Sequence, residues 1–267
     1  MKRPDASVSP SLRALKGRGN PAAGKSGLLR QDFVFPSNDG LLDKAIKDLT
    51  FLILSGPTRE YLDPVRFISN ESSGKMGTAL AKQALKKGAK VIFISGPSRI
   101  KPENGLSKRL KITDVVSADE MFAALKKNFN KADIIIGAAA VSDFKPVSLK
   151  KQKIKKGPGQ LFVTFAENPD IIAYCGKNKK KQVVAGFALE TENLFKNAAG
   201  KLKEKKLDII VANGKEAMNS DKSAVCIITA EGRKIPVKKS YKNKTAEIII
   251  NETIRVFERI KTCKTLS

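Results

Sequence analysis

Residues 133–140 read Asp-Ile-Ile-Ile-Gly-Ala-Ala-Ala, with no polar side chain between Ile134 and Ala140. A strand of this kind is apolar on both faces, so both faces need a covering layer. The arrangement that supplies two layers is a parallel sheet whose crossover helices pack above and below it. The surrounding sequence keeps that rhythm. Short apolar runs at 51–55, 90–95, 110–115, 162–166, 183–188 and 208–212 read as strands, and helical spacing at 78–87 and 118–129 supplies crossovers. The expected fold is therefore α/β: a doubly wound, mostly parallel, Rossmann-like sheet. A small C-terminal β-hairpin follows, 225–229 and 233–237 turned at Glu231-Gly232, and then a final helix over about 245–260. In such sheets ligands bind outside the carboxyl ends of the strands.

Residues 1–45 scatter Lys and Arg among Pro, Gly and Ser without an apolar period, so they read as a basic, disordered leader before a single domain at 46–267. A transit peptide shares the Arg- and Ser-rich composition, but Asp5 and the lack of an amphipathic pattern argue against it. Within the leader, Gly19 to Ser26 satisfies the phosphate-loop pattern letter for letter. No strand delivers that loop and no helix starts at Lys25-Ser26, so the backbone cradle that makes the motif work is missing.

Charge and absent residue types exclude several classes of function. Lys and Arg number 51 against 26 Asp and Glu, a formal +25 that attracts anions. Aromatics make up only 6% and do not interleave with the basic residues, which argues against a nucleic-acid surface. The chain has no His, which removes Ser-His-Asp triads, Cys-His pairs and histidine-ligated metals. Cys175, Cys226 and Cys263 are too scattered for a metal motif and too few for a disulfide framework, which fits a reducing cytoplasm. No apolar run approaches the length of a membrane span.

Four segments carry candidate chemistry. Gly56-Pro-Thr-Arg-Glu60 follows the first strand, and a long connection over 63–73 leads to a helix starting near Gly74-Lys75-Met76-Gly77, where this fold places anions. Ser72 and Ser73 can cap that helix, and turn and capping chemistry explains the same letters equally well. Ala138-Ala-Ala140-Val-Ser-Asp143 puts small residues and a carboxylate at the sheet edge; Asp143 suits a hydroxyl-bearing or metal-bound ligand, or a turn. Lys153-Ile-Lys-Lys156, with Gly157-Pro-Gly159, reads as a mobile basic flap or as a solvated charged loop. Asn168-Pro169-Asp170-Ile171 opens a helix, with Asn168 as its cap and Pro169 in first position.

The unbroken string from Ser55 through Asn70 to Gly77 resembles the signature of phosphopantothenoylcysteine synthetase. Ala139 to Lys145, Lys153 to Lys156, Asn168 to Ile171, Val184 to Glu192 and Asp208 to Asn213 follow in that family's order and spacing, over roughly 47–262. The resemblance implies a ligase that joins 4'-phosphopantothenate and L-cysteine. It would work through an acyl-nucleotide, acyl-CMP when CTP is used, with release of pyrophosphate in coenzyme A biosynthesis. It also implies CTP as co-substrate with ATP as the alternative, Mg2+, a cytoplasmic homodimer, and no membrane or nucleic-acid partner. By the same carry-over Asn70 would hold the acyl-nucleotide, and Lys153 would serve the second step from the flap. The nucleotide would be bound by Gly56, Ser73, Gly74, Gly137, Ala138, Ala139, Asp143, Lys153, Pro169, Asp170, Ile171, Ile172, Phe187, Lys201 and Lys205, with no metal ligand assigned. Lys201 and Lys205, four apart on one helix, would face the same ligand. Lys145 departs from the family's frequent Arg and Gly214 from its frequent Asp, and a His-free chain has no place for the flavin-dependent decarboxylase often fused to such a domain. The competing reading is a basic, non-catalytic nucleotide- or RNA-binding protein.

Overall fold

The computed structural model describes residues 46–217 and 220–265; the basic leader and its phosphate-loop look-alike lie outside them. The strands in chain order are β1 Thr50–Ser55, β2 Arg59–Tyr61, β3 Phe67–Ser69, β4 Lys90–Ser95, β5 Leu110–Asp114, β6 Ile134–Gly137, β7 Phe144–Pro146, β8 Phe165–Glu167, β9 Val183–Leu189, β10 Ile209–Asn213, β11 Lys222–Thr229 and β12 Lys234–Tyr241. The α-helices are α1 Lys75–Lys86, α2 Ala118–Asn128, α3 Ile171–Asn178, α4 Leu194–Glu204 and α5 Lys242–Thr265.

Eight strands form one sheet in the order β12-β11-β10-β9-β6-β1-β4-β5. The six from β5 to β10 run parallel, and β11 and β12 add an antiparallel edge. Side-chain alternation sorts the core into two layers. Phe51 and Ile53 of β1 pack with Leu80 and Ala84 of α1 and with Ile249, Ile250 and Ile254 of α5. Leu52 and Leu54 pack on the other face with Met121 and Leu125 of α2, Cys175 of α3 and Leu202 of α4. Ile134, Ile135 and Ile136 are all fully buried, as a two-sided strand requires. Each such side chain contributes roughly 1.5–3 kcal/mol on burial.

Two expectations change. The run at 162–166 does not join the main sheet: Phe162 is 85% exposed, and only Phe165 and Ala166 fall in a strand, β8, which pairs with β7. The connection over 63–73 contains half of a short hairpin, β2 against β3. The C-terminal hairpin, β11 with β12, is present as expected, and β11 pairs along β10 from Asn213–Val225 to Ile209–Thr229, so the hairpin extends the sheet. The last helix accordingly reaches 24 residues and lies against the face that holds Phe51.

The chain crosses from β1 to β4 on one side and returns through β6 on the other, so the switch point lies between β1 and β6. The backbone ladder runs on past both strand ends. Ala138 N–H donates to the Leu54 carbonyl at 3.0 Å, Ala140 N–H to Gly56 at 2.9 Å, and Thr58 N–H to Ala140 at 3.3 Å. This seam, residues 137–141, divides the carboxyl edge of the sheet.

Candidate functional site

Because the seam is extended, its side chains alternate. Ala138 and Ala140 line a cavity of about 190 Å³ on the α1 side, while Gly137, Ala139 and Val141 line one of about 210 Å³ on the α3 side. Phe187, from β9, lines both.

The α3-side cavity is also walled by Asp143, Asn168, Pro169, Asp170, Ile171, Ile172 and Lys205. Asp170 is the cap of α3, accepting from Ala173 N–H at 2.9 Å, and its other oxygen accepts from Lys205 Nζ at 2.8 Å. Burial pushes this carboxyl up, but the Lys205 ammonium and the Ala173 and Ile172 N–H groups outweigh it and hold the pKa below the ordinary value. Asn168 donates from Nδ2 to the Ser142 carbonyl at 2.9 Å and from its backbone to Asp143 at 2.8 Å. A Cβ on Gly137 would come within 2.8 Å of Ile172 Cδ1, so glycine is what keeps α3 close to the seam.

The α1-side cavity is walled by residues 71–77 together with Leu189, Asn213, Ser223, Val225 and Lys242. Here α1 approaches the sheet as closely as glycine permits: a Cβ on Gly77 would lie 2.1 Å from Ser55 Oγ. Gly74 is the N-cap in left-handed conformation, φ 73°, and no side chain caps the helix. The expected serine caps serve the loop instead. Ser72 Oγ accepts from Gly74 N–H at 3.4 Å, and the Ser73 carbonyl accepts from Ser98 Oγ at 2.7 Å.

Asn70 stands between the cavities. Its Nδ2 donates to the Val141 carbonyl at 2.9 Å, Val141 lining one cavity and the next residue, Glu71, the other. The basic segment beyond is tied to the β2–β3 turn. Lys150 N–H donates to Leu62, Ile154 N–H to Asp63 Oδ2 at 3.0 Å, and Arg66 Nη1 to the Ile154 carbonyl at 2.9 Å. The Asp63 side chain is fully enclosed and also accepts from the Val65 and Arg66 N–H groups and the Arg66 guanidinium. Burial favours the neutral acid, but these donors prevail and hold the carboxyl at about 2. Lys153 lies inside the tethered segment, exposed and with no ion pair among the described residues.

A family model described as the DNA/pantothenate metabolism flavoprotein C-terminal domain matches residues 46–256. The chain belongs to that family. A relative named Cysteine/Cysteine sulfinic acid decarboxylase, from an unknown prokaryotic organism, is 43% identical over 74% of this chain and 55% of its own length. The Coenzyme A biosynthesis bifunctional protein CoaBC is 42% identical in Borreliella burgdorferi, over 71% of this chain and 48% of that protein. In Haemophilus influenzae the same-named protein is 38% identical, over 80% and 53%. The chain thus spans about half the length of the curated relatives it matches. Among solved structures, the C-terminal domain of CoaBC superposes with TM-score 0.68 at 32% identity, over 79% of this chain and 96% of that one. A Cab2 variant in complex with phosphopantothenate-cysteine superposes with TM-score 0.67 at 20% identity, over 86% and 96%, a likeness of fold alone.

The residues expected for nucleotide binding in this DNA/pantothenate metabolism flavoprotein domain are divided rather than pooled. Gly137, Ala139, Asp143, Pro169, Asp170, Ile171, Ile172 and Lys205 line one cavity, Ser73, Gly74 and Ala138 the other, and Phe187 both. Gly56 lines neither; its φ is 75°, and a Cβ there would come within 3.0 Å of the Gly96 carbonyl. Lys201 also lines neither, pairing with Glu190 at 2.7 Å, so Lys201 and Lys205 do not share a partner. The cap of α3 is Asp170 rather than Asn168, because the helix starts at Ile171, beyond Pro169. Lys145 pairs with Asp119 at 2.5 Å. Sequence reading missed Asp63, although Asp-Pro-Val-Arg is the pattern of a side chain that accepts from N–H groups two and three residues on.

Proposed function

We propose that this chain is a phosphopantothenate–cysteine ligase of coenzyme A biosynthesis, acting in the cytoplasm as a homodimer. The observation that carries the reading is Asn70, fixed by its bond to Val141, which lines one cavity, while its neighbour Glu71 lines the other. In this reading the nucleoside of CTP occupies the α3-side cavity, its base against the small seam residues and Phe187, with Asp143 and Lys205 at the ribose and phosphates. ATP is the alternative co-substrate. A carboxylate oxygen of 4'-phosphopantothenate attacks the α-phosphorus, a P–O bond forms, and pyrophosphate leaves. The amine of L-cysteine then attacks the acyl carbon, the acyl–phosphate bond breaks, and CMP leaves while the amine gives up its proton. Both reactants of the first step are anions, so positioning and cationic groups supply most of the assistance, and a His-free site suffices.

Magnesium would enter with the nucleotide phosphates. Among the described residues no group of three or more Asp, Glu, Cys or His side chains could hold an ion, so no step is assigned to a resident metal. Exposed Phe67, Ile68, Phe144 and Phe165 on the β2–β3 and β7–β8 hairpins support self-association through those hairpins. Among the described residues no helix is long and apolar enough to cross a membrane.

The test is pyrophosphate release with 4'-phosphopantothenate, L-cysteine and Mg2+, comparing CTP with ATP. Release that requires phosphopantothenate, together with amide product when cysteine is present, is expected. No release with either nucleotide would overturn the reading in favour of a non-catalytic nucleotide- or RNA-binding protein.

A further inference from the structure

We propose that Asn168 is a positioning residue for nucleotide recognition: it fixes the backbone of Ser142 and Asp143 so that the Asp143 carboxylate meets the ribose hydroxyls. This rests on the placement of the nucleoside in the ligase reading above. Pro169 follows Asn168 and confines it to extended backbone. The pairing of β7 with β8, which ends at Phe144 opposite Glu167, therefore continues for one more residue, and Asn168 N–H donates to the Asp143 carbonyl at 2.8 Å. Its side chain then stands in for a further backbone donor, with Nδ2 bonded to the Ser142 carbonyl at 2.9 Å. The remaining polar atom, Oδ1, is enclosed and has no partner, so the donor end of the amide is what holds the loop. The reverse orientation would set Oδ1 against the Ser142 carbonyl, acceptor facing acceptor.

The Asp143 carboxylate itself is held by nothing else. It lines the α3-side cavity, exposed, and among the described residues it makes no ion pair and no side-chain hydrogen bond. Its place is therefore set through its backbone, and that backbone is pinned from two sides. Ser142 N–H donates to Oγ1 of the buried Thr58 at 3.0 Å, which ties the loop to the seam. Asn168 ties it to the wall that carries Asp170. Ser142 Oγ adds a local bond to the Phe144 carbonyl at 2.8 Å. A carboxylate repels phosphates and accepts from hydroxyl donors, so the ribose is the part of a nucleotide that Asp143 fits. A group whose place is fixed before the ligand arrives loses less affinity to ordering on binding, and Asn168 supplies that fixing from outside the contact itself.

The experiment titrates the full-length protein calorimetrically with CTP and with 2',3'-dideoxy-CTP, which lacks both ribose hydroxyls, in the wild type, Asn168→Ala, Asp143→Ala and the double variant. The wild type is expected to bind CTP roughly tenfold more tightly than the dideoxy nucleotide, the scale of one charge-assisted hydrogen bond. Asn168→Ala should lose most of that preference, with CTP binding weakened about fivefold and dideoxy-CTP binding held within about twofold. Asp143→Ala should show the same pattern, and the double variant should be no worse than Asp143→Ala, because the two residues act through one contact. Equal weakening toward both nucleotides would overturn the proposal and leave Asn168 a structural clamp only. No weakening toward either, losses that add in the double variant, or a wild type without preference would overturn it as well. Should Asn168→Ala not fold, Asn168→Asp decides by the same criteria, since it keeps the shape and sets an oxygen against the Ser142 carbonyl. If the wild-type protein forms no amide, the ligase reading fails, yet its preference between the two nucleotides still tests Asn168.

Discussion

The two cavities share a seam but differ in what their walls leave unfinished. On the α3 side Asp170 holds Ala173 and Lys205, and Asn168 donates to Ser142 and Asp143 while its buried Oδ1 has no partner. On the α1 side the helix end has no side-chain cap and the buried Ser223 hydroxyl has no partner, while Lys75 is paired with Asp221. The first cavity thus has its Asp170–Lys205 pair already in place, whereas the second opens on the N-terminus of α1. One strand serves both because its alternate residues face opposite ways, so a substitution that affects one cavity should spare the other unless it falls on the seam.

Asn70 is the place where that separation should fail. Asn70→Asp replaces the donor to the Val141 carbonyl with a carboxylate oxygen, turning a 2.9 Å hydrogen bond into repulsion and setting a negative charge beside an anionic intermediate. Product formation is expected to fall by about 100-fold or more, the scale for losing a transition-state donor. Phosphopantothenate-dependent pyrophosphate release should persist in part. Amide formation at the wild-type rate, followed by product assay, would remove the role assigned to Asn70.

Gly77→Ala attacks the α1 side alone. The added Cβ would lie 2.1 Å from Ser55 Oγ, so α1 must shift from β1. Overpacking of this kind costs about 1–3 kcal/mol, and a thermal melt should drop by roughly 2–4 °C per kcal/mol in a domain of this size. An unchanged Tm would mean that the helix has room the structure does not show. Lys205→Met attacks the α3 side alone: it removes the Asp170 pair without changing the seam, and the KM for nucleotide should rise about tenfold while that for phosphopantothenate holds. Equal rises in both would show that the cavities do not act separately.

The basic segment 150–156 lines neither cavity, and its tether to Asp63 and Arg66 has its own signature. Asp63→Asn keeps an oxygen for the turn but turns an amide N–H₂ toward Ile154 N–H and the Arg66 guanidinium, donors facing donors. Tryptic cleavage between Lys150 and Lys156 should accelerate about fivefold, because the tether otherwise suppresses local opening. In the wild-type protein the Asp63 pKa is depressed from 3.8 to about 2, so the tether is fully formed above about pH 4 and is lost as pH falls toward 2. Cleavage rates measured across pH 5–8 should therefore show no step attributable to Asp63; a step there would mean that its carboxyl is not held as the hydrogen bonds require.

The parallel core was legible from letters alone because strands buried on both faces cannot hide their composition, as Ile134-Ile-Ile136 illustrates. The run at 162–166 was half legible: Phe165 lies in β8, but that strand pairs with β7 outside the main sheet and Phe162 is exposed, which only tertiary context reveals. Asp63 was hidden by a turn pattern that says nothing of a flap 91 residues away. Ser223 was invisible because an orphan hydroxyl exists only once β11 is placed against β10 and α1 stands opposite. Spacing placed Lys201 and Lys205 one turn apart but could not show that each pairs with a different carboxylate, Glu190 and Asp170.

That last pair provides the control with the smallest expected effect. Lys201 bonds Glu190, which the ammonium and Asn197 hold below the ordinary carboxyl range despite some burial; the lysine side chain itself is 44% exposed. An ion pair so open to water is worth little, about 0–1 kcal/mol. Lys201→Met should therefore change the KM for nucleotide by less than about twofold, against the roughly tenfold rise expected for Lys205→Met measured beside it. Similar losses from both would mean that Lys201 leaves Glu190 to reach the nucleotide, and the α3-side cavity would then be a shape completed on binding rather than one already formed.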